Sequence, residues 1–127
     1  MKVKFYMKVK IGKKSIKVKV ADNFWTRSKG LMFKKNIKED EGMFFVFNKD
    51  CFPKFCMFGM CFPLDIIWIN SKNRIVDITK NAKPSLNPWK IYKPAEACKY
   101  VLEVKANFTE KQNVKINDFV RFKFQNT

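Results

Sequence analysis

The sequence predicts a mainly β fold, a single antiparallel β-sandwich or jelly-roll-like barrel with one short helix near residues 24–33. Hydrophobic and polar residues alternate with a period of two near the N-terminus, which is typical of half-buried strands. Short β-branched and aromatic runs follow, separated by turn residues. Apolar residues make up 46% of the 127 residues, enough for the core of one domain over 1–127.

The first two predicted strands form a hairpin over residues 2–20 that is an integral part of the sandwich. Hydrophobic residues from Val3 to Ile11 alternate with lysines, and Ile16, Val18 and Val20 repeat the pattern after a turn at Gly12. Because side chains of a strand point alternately to its two faces, one face of the hairpin is predicted to be buried and the other to carry lysines.

The helix near 24–33 follows Asp22 and Asn23, which are favourable N-cap residues. Residues 34–42 are predicted to be a polar loop. The apolar runs 43–47 and 63–70 predict central strands, and 74–79 predicts a hairpin partner for the second of them.

The C-terminal third is predicted to contain a long loop, two strands and one turn of helix. Three prolines in 81–97 favour a loop, and alternation over 99–106 predicts a strand. A helical turn is expected at 108–112 and a last strand at 119–124.

The positive charge is concentrated in the first third of the chain. The chain carries 27 basic and 11 acidic residues, and 13 of the basic residues but only one acid, Asp22, lie in residues 1–38. Such asymmetry indicates an anionic partner such as nucleic acid, bound through phosphate contacts without sequence reading. The candidate residues are Lys2, Lys4, Lys8, Lys10, Lys13, Lys14, Lys17 and Lys19. The alternative is that these lysines are ordinary solvated surface residues.

The absence of histidine excludes histidine-based triads, general bases and metal ligands. Four cysteines without a C-x-x-C pair are interpreted as apolar thiols, with a zinc site or a disulfide as alternatives. We therefore expect a binding module and predict no catalytic residue, no metal site and no cofactor. We find no signal peptide and no apolar run long enough to span a bilayer, so a cytoplasmic protein without a membrane partner is expected.

Several short strings, in order, carry a resemblance to a known family over roughly residues 18–121. They are Val20-Ala21-Asp22, Arg27, the segment 30–34, Glu41-Gly42-Met43, the segment 45–47, Phe55, Met57, the segment 63–67, Asn81-Ala82, Tyr92, the segment 100–104, Ala106, Asp118 and Val120. Together they resemble the uncharacterised prokaryotic family called domain of unknown function 192. The resemblance implies a compact, mostly antiparallel β-sandwich of jelly-roll type, and it implies no reaction.

The chain departs from the usual pattern of that family in its central string. Cys56 stands where the family usually has Trp, and Phe58-Gly59-Met60 stands where it usually has Lys-Asn-Thr. Asn107 and Asn117 replace usual glycines, and asparagine tolerates the left-handed backbone well.

A second hypothesis is a small-ligand or hydrolytic pocket built around Asp65 and the Phe/Met-rich loop 51–62. The family-motif candidates for this pocket are Asp22, Arg27, Met32, Met57, Pro63, Asp65 and Glu103. Structural roles are the alternative for the carboxylates, since Asp65 is suited to accept hydrogen bonds from backbone N–H groups. The same loop is a candidate for self-association if its Phe and Met side chains are exposed.

Overall fold

The structure, a computed structural model, describes residues 6–22, 30–31 and 34–124, and it is built mainly from strands. The mainly β class is therefore confirmed. The elements in chain order are β1 (Tyr6–Ile11), β2 (Lys14–Ala21), β3 (Glu41–Cys51), β4 (Leu64–Ile69), β5 (Ile75–Ala82), β6 (Cys98–Lys105), α1 (Phe108–Lys111) and β7 (Val120–Phe122).

The seven strands form one sheet in the order β5-β4-β6-β3-β2-β1-β7. All neighbouring pairs are antiparallel except β2 and β3, which run parallel. The predicted, mostly antiparallel arrangement is therefore confirmed, with this pair as the exception. The long connection between Ala21 and Glu41 permits this parallel pair, because parallel neighbours need a crossover of a dozen or more residues.

The sheet curls until its two edge strands meet at one end. Arg74, just before β5, forms an isolated bridge with Phe119, just before β7. Backbone hydrogen bonds from Ile75 N to Asp118 O (3.0 Å) and from Val120 N to Asn73 O (2.8 Å) hold the two ends together. The arrangement is thus the barrel-like form of the predicted fold, made from one curled sheet.

The first core lies on one face of the sheet and receives side chains from all seven strands. Met7, Val9 and Ile11 of β1 are buried there, as the alternation predicts. Phe44, Tyr100 and the half-buried Phe122 pack ring against ring in this core, with ring centroids 4.8–5.4 Å apart. The hairpin is therefore part of the main sheet and its core.

The second core lies on the opposite face and involves the central strands β3, β4 and β6. Phe45, Trp68 and Val101 are buried between this face and a cover formed by the loop 52–63 and by Leu31 and Ile37. The ring of Phe55 in this loop packs edge-on against the rings of Phe45 and Trp68, with ring centroids 4.9 and 5.5 Å apart. The central strands are buried on both faces, as their continuous apolar runs predict.

Two helical segments were expected, and the structure describes one of them. The turn at 108–112 is confirmed as α1. The predicted helix near 24–33 lies outside the described residues, apart from a turn at Gly30 and Leu31. Asn107 and Asn117 adopt φ angles of 77° and 80°, the left-handed backbone expected at these positions.

The part of the chain that the structure describes contains no helix that is both long and apolar enough to cross a membrane.

Candidate functional site

The outer face of the hairpin carries lysines on both strands. Lys8 of β1 lies directly opposite Lys17 of β2, and Tyr6 lies opposite Lys19. The predicted lysines Lys8, Lys10, Lys13 and Lys17 are exposed, and Lys14 and Lys19 are half-buried. Lys2 and Lys4 lie outside the described residues. The alternation thus places Lys8, Lys10, Lys17 and Lys19 on the side away from the first core, whereas Lys14, the first residue of β2, lies opposite the buried Ile11.

The last strand extends this face beyond the hairpin. β7 pairs with β1, and Arg121 lies directly opposite Lys10. Arg121 is exposed. We call this surface the basic face and define it by Lys8, Lys10, Lys17, Lys19 and Arg121.

An exposed aromatic ring stands at each end of the basic face. Tyr6 is 45% exposed, and Lys17 Nζ lies 5.2 Å from the centre of its ring. Phe119 is 42% exposed, and the guanidinium carbons of Arg74 and Arg121 lie 5.1 and 6.0 Å from its ring centre. Tyr6 and the Ile11–Val120 pair next to Phe119 are about 17 Å apart along β1.

The charge of the basic face is not neutralised by ion pairs with described residues. The ion pairs among these residues are Lys80–Glu110 and Lys111–Glu39, and both lie on other surfaces. Glu41 of β3 lies opposite Lys17 and accepts a hydrogen bond from Lys38 N at 3.1 Å, and these two described residues form no ion pair with each other. The face therefore presents opposed like charges to solvent.

The carboxylate of Asp65, the residue around which a ligand pocket is predicted, accepts hydrogen bonds from two backbone N–H groups and one hydroxyl group. Asp65 is 1% exposed. One carboxylate oxygen accepts a hydrogen bond from Asn81 N (2.9 Å), and the other accepts from Thr109 N (3.0 Å) and Thr109 Oγ1 (2.7 Å). Asp65 thus joins β4 to β5 and caps α1, which has no side-chain cap of its own. The backbone role expected for Asp65 is confirmed.

Glu103 is the other buried carboxyl group of the predicted pocket. Its neighbours across the sheet are Met43 of β3 and Ile66 of β4. It is 5% exposed, and burial raises the pKa of Glu103 to about 8. Glu103 is therefore a neutral carboxylic acid at pH 7, on the face of the sheet that carries the second core.

An open depression of about 510 Å³ lies nearby along β6. It is lined by Lys105, two residues beyond Glu103, and by Glu41.

The structure does not bring the carboxyl groups of Asp65 and Glu103 together. Asp65 pairs with Val104 and Glu103 pairs with Ile66, which are adjacent pairs of the β4–β6 ladder. Because adjacent residues of a strand point to opposite faces, Asp65 and Glu103 lie on opposite sides of the sheet. A paired-carboxylate site of these two residues is not formed.

The remaining pocket candidates are scattered over the structure. Met57 is buried in the second core, Pro63 is half-buried just before β4, and Asp22 is exposed after β2. Arg27 and Met32 lie outside the described residues. Asp65 lines neither this 510 Å³ depression nor a second one of about 450 Å³ beside α1. The ligand-pocket hypothesis remains a prediction.

The Phe/Met-rich loop is partly exposed. Phe52 and Phe58 are exposed, whereas Met57 and Phe62 are buried in the second core. Self-association through the loop remains a prediction. Within residues 6–22, 30–31 and 34–124, no group of three or more Cys, Asp or Glu residues is placed to hold a metal ion.

Sequence reasoning missed the contribution of Arg121, Phe119 and Arg74 to this surface. The alternation of Phe119, Arg121 and Lys123 with Val120 and Phe122 was visible in the sequence. It indicates two faces of a strand, but it does not indicate that β7 pairs with β1. That pairing joins the two ends of the described chain.

A family model matches residues 7–122 of the chain, from β1 to β7. The model is that of domain of unknown function 192 (DUF192), which is described as "Uncharacterized ACR". The chain belongs to the DUF192 family. The family resemblance of the short strings is confirmed.

Archaeal proteins called UPF0127 are similar to this DUF192 chain. One from Thermococcus kodakarensis is 37% identical over 89 residues, which cover 68% of this chain and 52% of that protein. The alignment thus spans about half the length of that relative. One from Pyrococcus abyssi is 31% identical over 110 residues, covering 84% of this chain and 86% of the relative.

Two solved structures share the DUF192 fold seen here. A "putative transcription regulator" from Sinorhizobium meliloti 1021 has a TM-score of 0.88 at 26% identity, covering 96% of this chain and 98% of that one. A protein of unknown function from Novosphingobium aromaticivorans DSM 12444 has a TM-score of 0.84 at 27% identity, covering 93% and 84%.

Proposed function

We propose that this DUF192 domain is a non-catalytic module that binds nucleic acid through its basic face. The observation that carries the proposal is the direct opposition of Lys8 with Lys17 and of Lys10 with Arg121. Like charges that face each other across a sheet disfavour the folded state. The phosphates of a nucleic acid bound along this face would neutralise both pairs. Binding would also release the counterions that are condensed on the nucleic acid.

The composition of the face favours contacts to phosphates over contacts to base edges. Four of its five cations are lysines, which act as point charges, and bidentate recognition of guanine uses arginine more effectively. Binding is therefore tolerant of sequence and falls steeply with salt.

The exposed rings favour single strands over duplexes. Tyr6 and Phe119 lie at opposite ends of the row of cations, each with a cation next to its ring. Unpaired bases stack on such rings, whereas bases of a duplex are stacked on each other. The Sinorhizobium meliloti protein of the same fold is described in terms of transcription regulation, which is compatible with a nucleic-acid ligand.

The test is fluorescence anisotropy with labelled random single-stranded DNA, single-stranded RNA and duplex DNA at about 50 mM salt. Lys8, Lys10, Lys17 and Lys19 are replaced together by Gln. The matched control replaces four exposed lysines elsewhere, Lys54, Lys72, Lys83 and Lys93, and so has the same net charge.

We expect the wild-type protein and the control to bind single strands, and the basic-face variant to bind at least about tenfold more weakly. Equal weakening of both variants would show that net charge alone is responsible. The absence of wild-type binding to every probe would overturn the proposal.

A further inference from the structure

Two of the four cysteines stand opposite each other in the sheet. Cys51 is the last residue of β3 and Cys98 is the first residue of β6, and the antiparallel register pairs them directly. Directly opposed residues of antiparallel strands have Cα atoms about 4.5–5.5 Å apart. Disulfides span Cα distances of about 4.4–6.8 Å, so the register satisfies the main geometric requirement of a cross-strand disulfide.

The two cysteines also mark the roots of two long loops. The loop 52–63 begins immediately after Cys51, and the loop 83–97 ends immediately before Cys98. An isolated bridge joins the loops, with Phe55 N donating to Tyr92 O at 2.9 Å and Tyr92 N donating to Phe55 O at 2.7 Å. Phe55 and Tyr92 also pack against the second core. A disulfide between Cys51 and Cys98 would therefore join the two loops where they meet the sheet and keep them packed on the second core.

We propose that Cys51 and Cys98 form a reversible disulfide that ties these two loops together, which makes the pair a redox modification site. The ladder between β3 and β6 is irregular next to it, since its register shifts between Val46 and Cys51. Such an irregularity bends the strand locally and changes the direction of the side chains that follow it. Cys56 and Cys61 lie within the loop 52–63, outside the named strands.

The oxidant is a low-molecular-weight disulfide, such as oxidised glutathione. The half-buried Cys51 thiolate attacks one sulfur of this disulfide and forms a mixed disulfide, releasing one glutathione thiolate. The Cys98 thiolate then attacks Cys51 Sγ, which forms the protein disulfide and releases the second glutathione thiolate. The two protein thiols lose two electrons and two protons, and both are gained by the two glutathione molecules that leave.

The surroundings of Cys98 disfavour its thiolate. Burial, followed by the nearby Cys51 and Asp50, raises the pKa of the Cys98 thiol to about 12. The thiolate of Cys98 is therefore scarce at neutral pH. The more accessible Cys51 is the thiol that reacts first with the oxidant.

The test is peptide mapping of the full chain after incubation with oxidised or reduced glutathione and blocking of the remaining thiols. Trypsin separates the cysteines, because residues 50–54 contain only Cys51, residues 91–99 contain only Cys98, and residues 55–72 contain Cys56 and Cys61. We expect oxidation to remove two of the four thiols and to link peptides 50–54 and 91–99, and we expect dithiothreitol to reverse both changes.

Variants serve as matched controls. A Cys56→Ser, Cys61→Ser double variant should still form the link, whereas Cys51→Ser should leave Cys98 as a thiol. A dominant link from peptide 55–72 to either partner, or glutathione adducts without the 50–54 to 91–99 link, would overturn the proposal. The wild-type peptide map decides the question even if a Cys98 variant does not fold.

Discussion

Lys8 of β1 lies directly opposite Lys17 of β2 on the exposed side of the hairpin. Directly opposed like charges destabilise a sheet by about 0.2–1 kcal/mol. The buried side of the same strands, with Val9 and Ile16 fully buried, compensates for this repulsion. The hairpin therefore combines a stabilising apolar face with a face on which like charges repel each other, and the proposed binding of an anionic ligand depends on the second face.

Replacing Lys8 with Glu should separate stability from binding. The change converts the opposed pair with Lys17 into an attractive one, so the free energy of unfolding should rise by about 0.5 kcal/mol. Binding to single-stranded DNA should weaken at the same time, because a carboxylate repels phosphate. Urea unfolding and anisotropy measure the two effects. Lys8→Gln is the control, and weaker binding together with lower stability in Lys8→Glu would contradict the account.

Replacing Phe119 with Ala should weaken binding to single strands without changing its salt dependence. Loss of one stacking ring costs about 1–3 kcal/mol per base, and no charge is removed. Anisotropy at several salt concentrations measures both quantities. Phe119→Tyr keeps a ring and should bind like wild type. If Phe119→Ala bound single strands as tightly as wild type, the ring would have no role in binding.

Replacing Asp65 with Ala should destabilise the fold by about 3 kcal/mol, because Asn81 N, Thr109 N and Thr109 Oγ1 lose their acceptor. Urea unfolding at pH 7 measures this loss. Asp77→Ala is the control, since its carboxylate also accepts from two backbone N–H groups, of Ile78 and Ala95, at less buried positions. The control should lose about 1 kcal/mol. Equal losses of stability in the two variants would show that the burial of the Asp65 hydrogen bonds adds nothing to the free energy of unfolding.

Replacing Glu103 with Gln should flatten the pH dependence of stability. Burial raises the pKa of Glu103 in the folded chain to about 8, against 4.5 for an ordinary glutamate. Below pH 4.5 both states hold the proton. Between these two values the unfolded chain releases it and the folded chain does not, so the contribution of Glu103 to wild-type stability falls as the pH rises and levels off above pH 8.

Chemical denaturation of wild type and Glu103→Gln between pH 4 and 9 measures this effect, because other titrating groups cancel in the difference. The advantage of the Gln variant should grow from pH 5 to pH 8. A difference that does not change with pH would show that Glu103 ionises in the folded chain as readily as in the unfolded chain.

Local sequence patterns predicted the elements and the buried faces of the strands. The alternation around Val9 and Val18 placed the hairpin lysines on the solvent side, and the apolar run at 63–70 predicted β4, which spans Leu64–Ile69. These features depend on neighbours along the chain, so the pattern of residue types is sufficient to predict them.

Features that depend on distant pairing were not predicted. The parallel β2–β3 pair, the contact of β7 with β1 and the capping of Thr109 by Asp65 all join segments that are far apart in sequence. Residue types alone do not determine which strands become neighbours. For this reason Arg121 and Phe119 joined the candidate site only when the strand order was known.

The most direct test of the account is the slope of log Kd against log salt for single-stranded DNA. Each phosphate contact contributes about 0.7 to this slope. The variant with Lys8, Lys10, Lys17 and Lys19 replaced by Gln should have a slope about 3 smaller than wild type, and the control with Lys54, Lys72, Lys83 and Lys93 replaced should keep the wild-type slope. The same slope in wild type and the basic-face variant would contradict the claim that this face binds the phosphates.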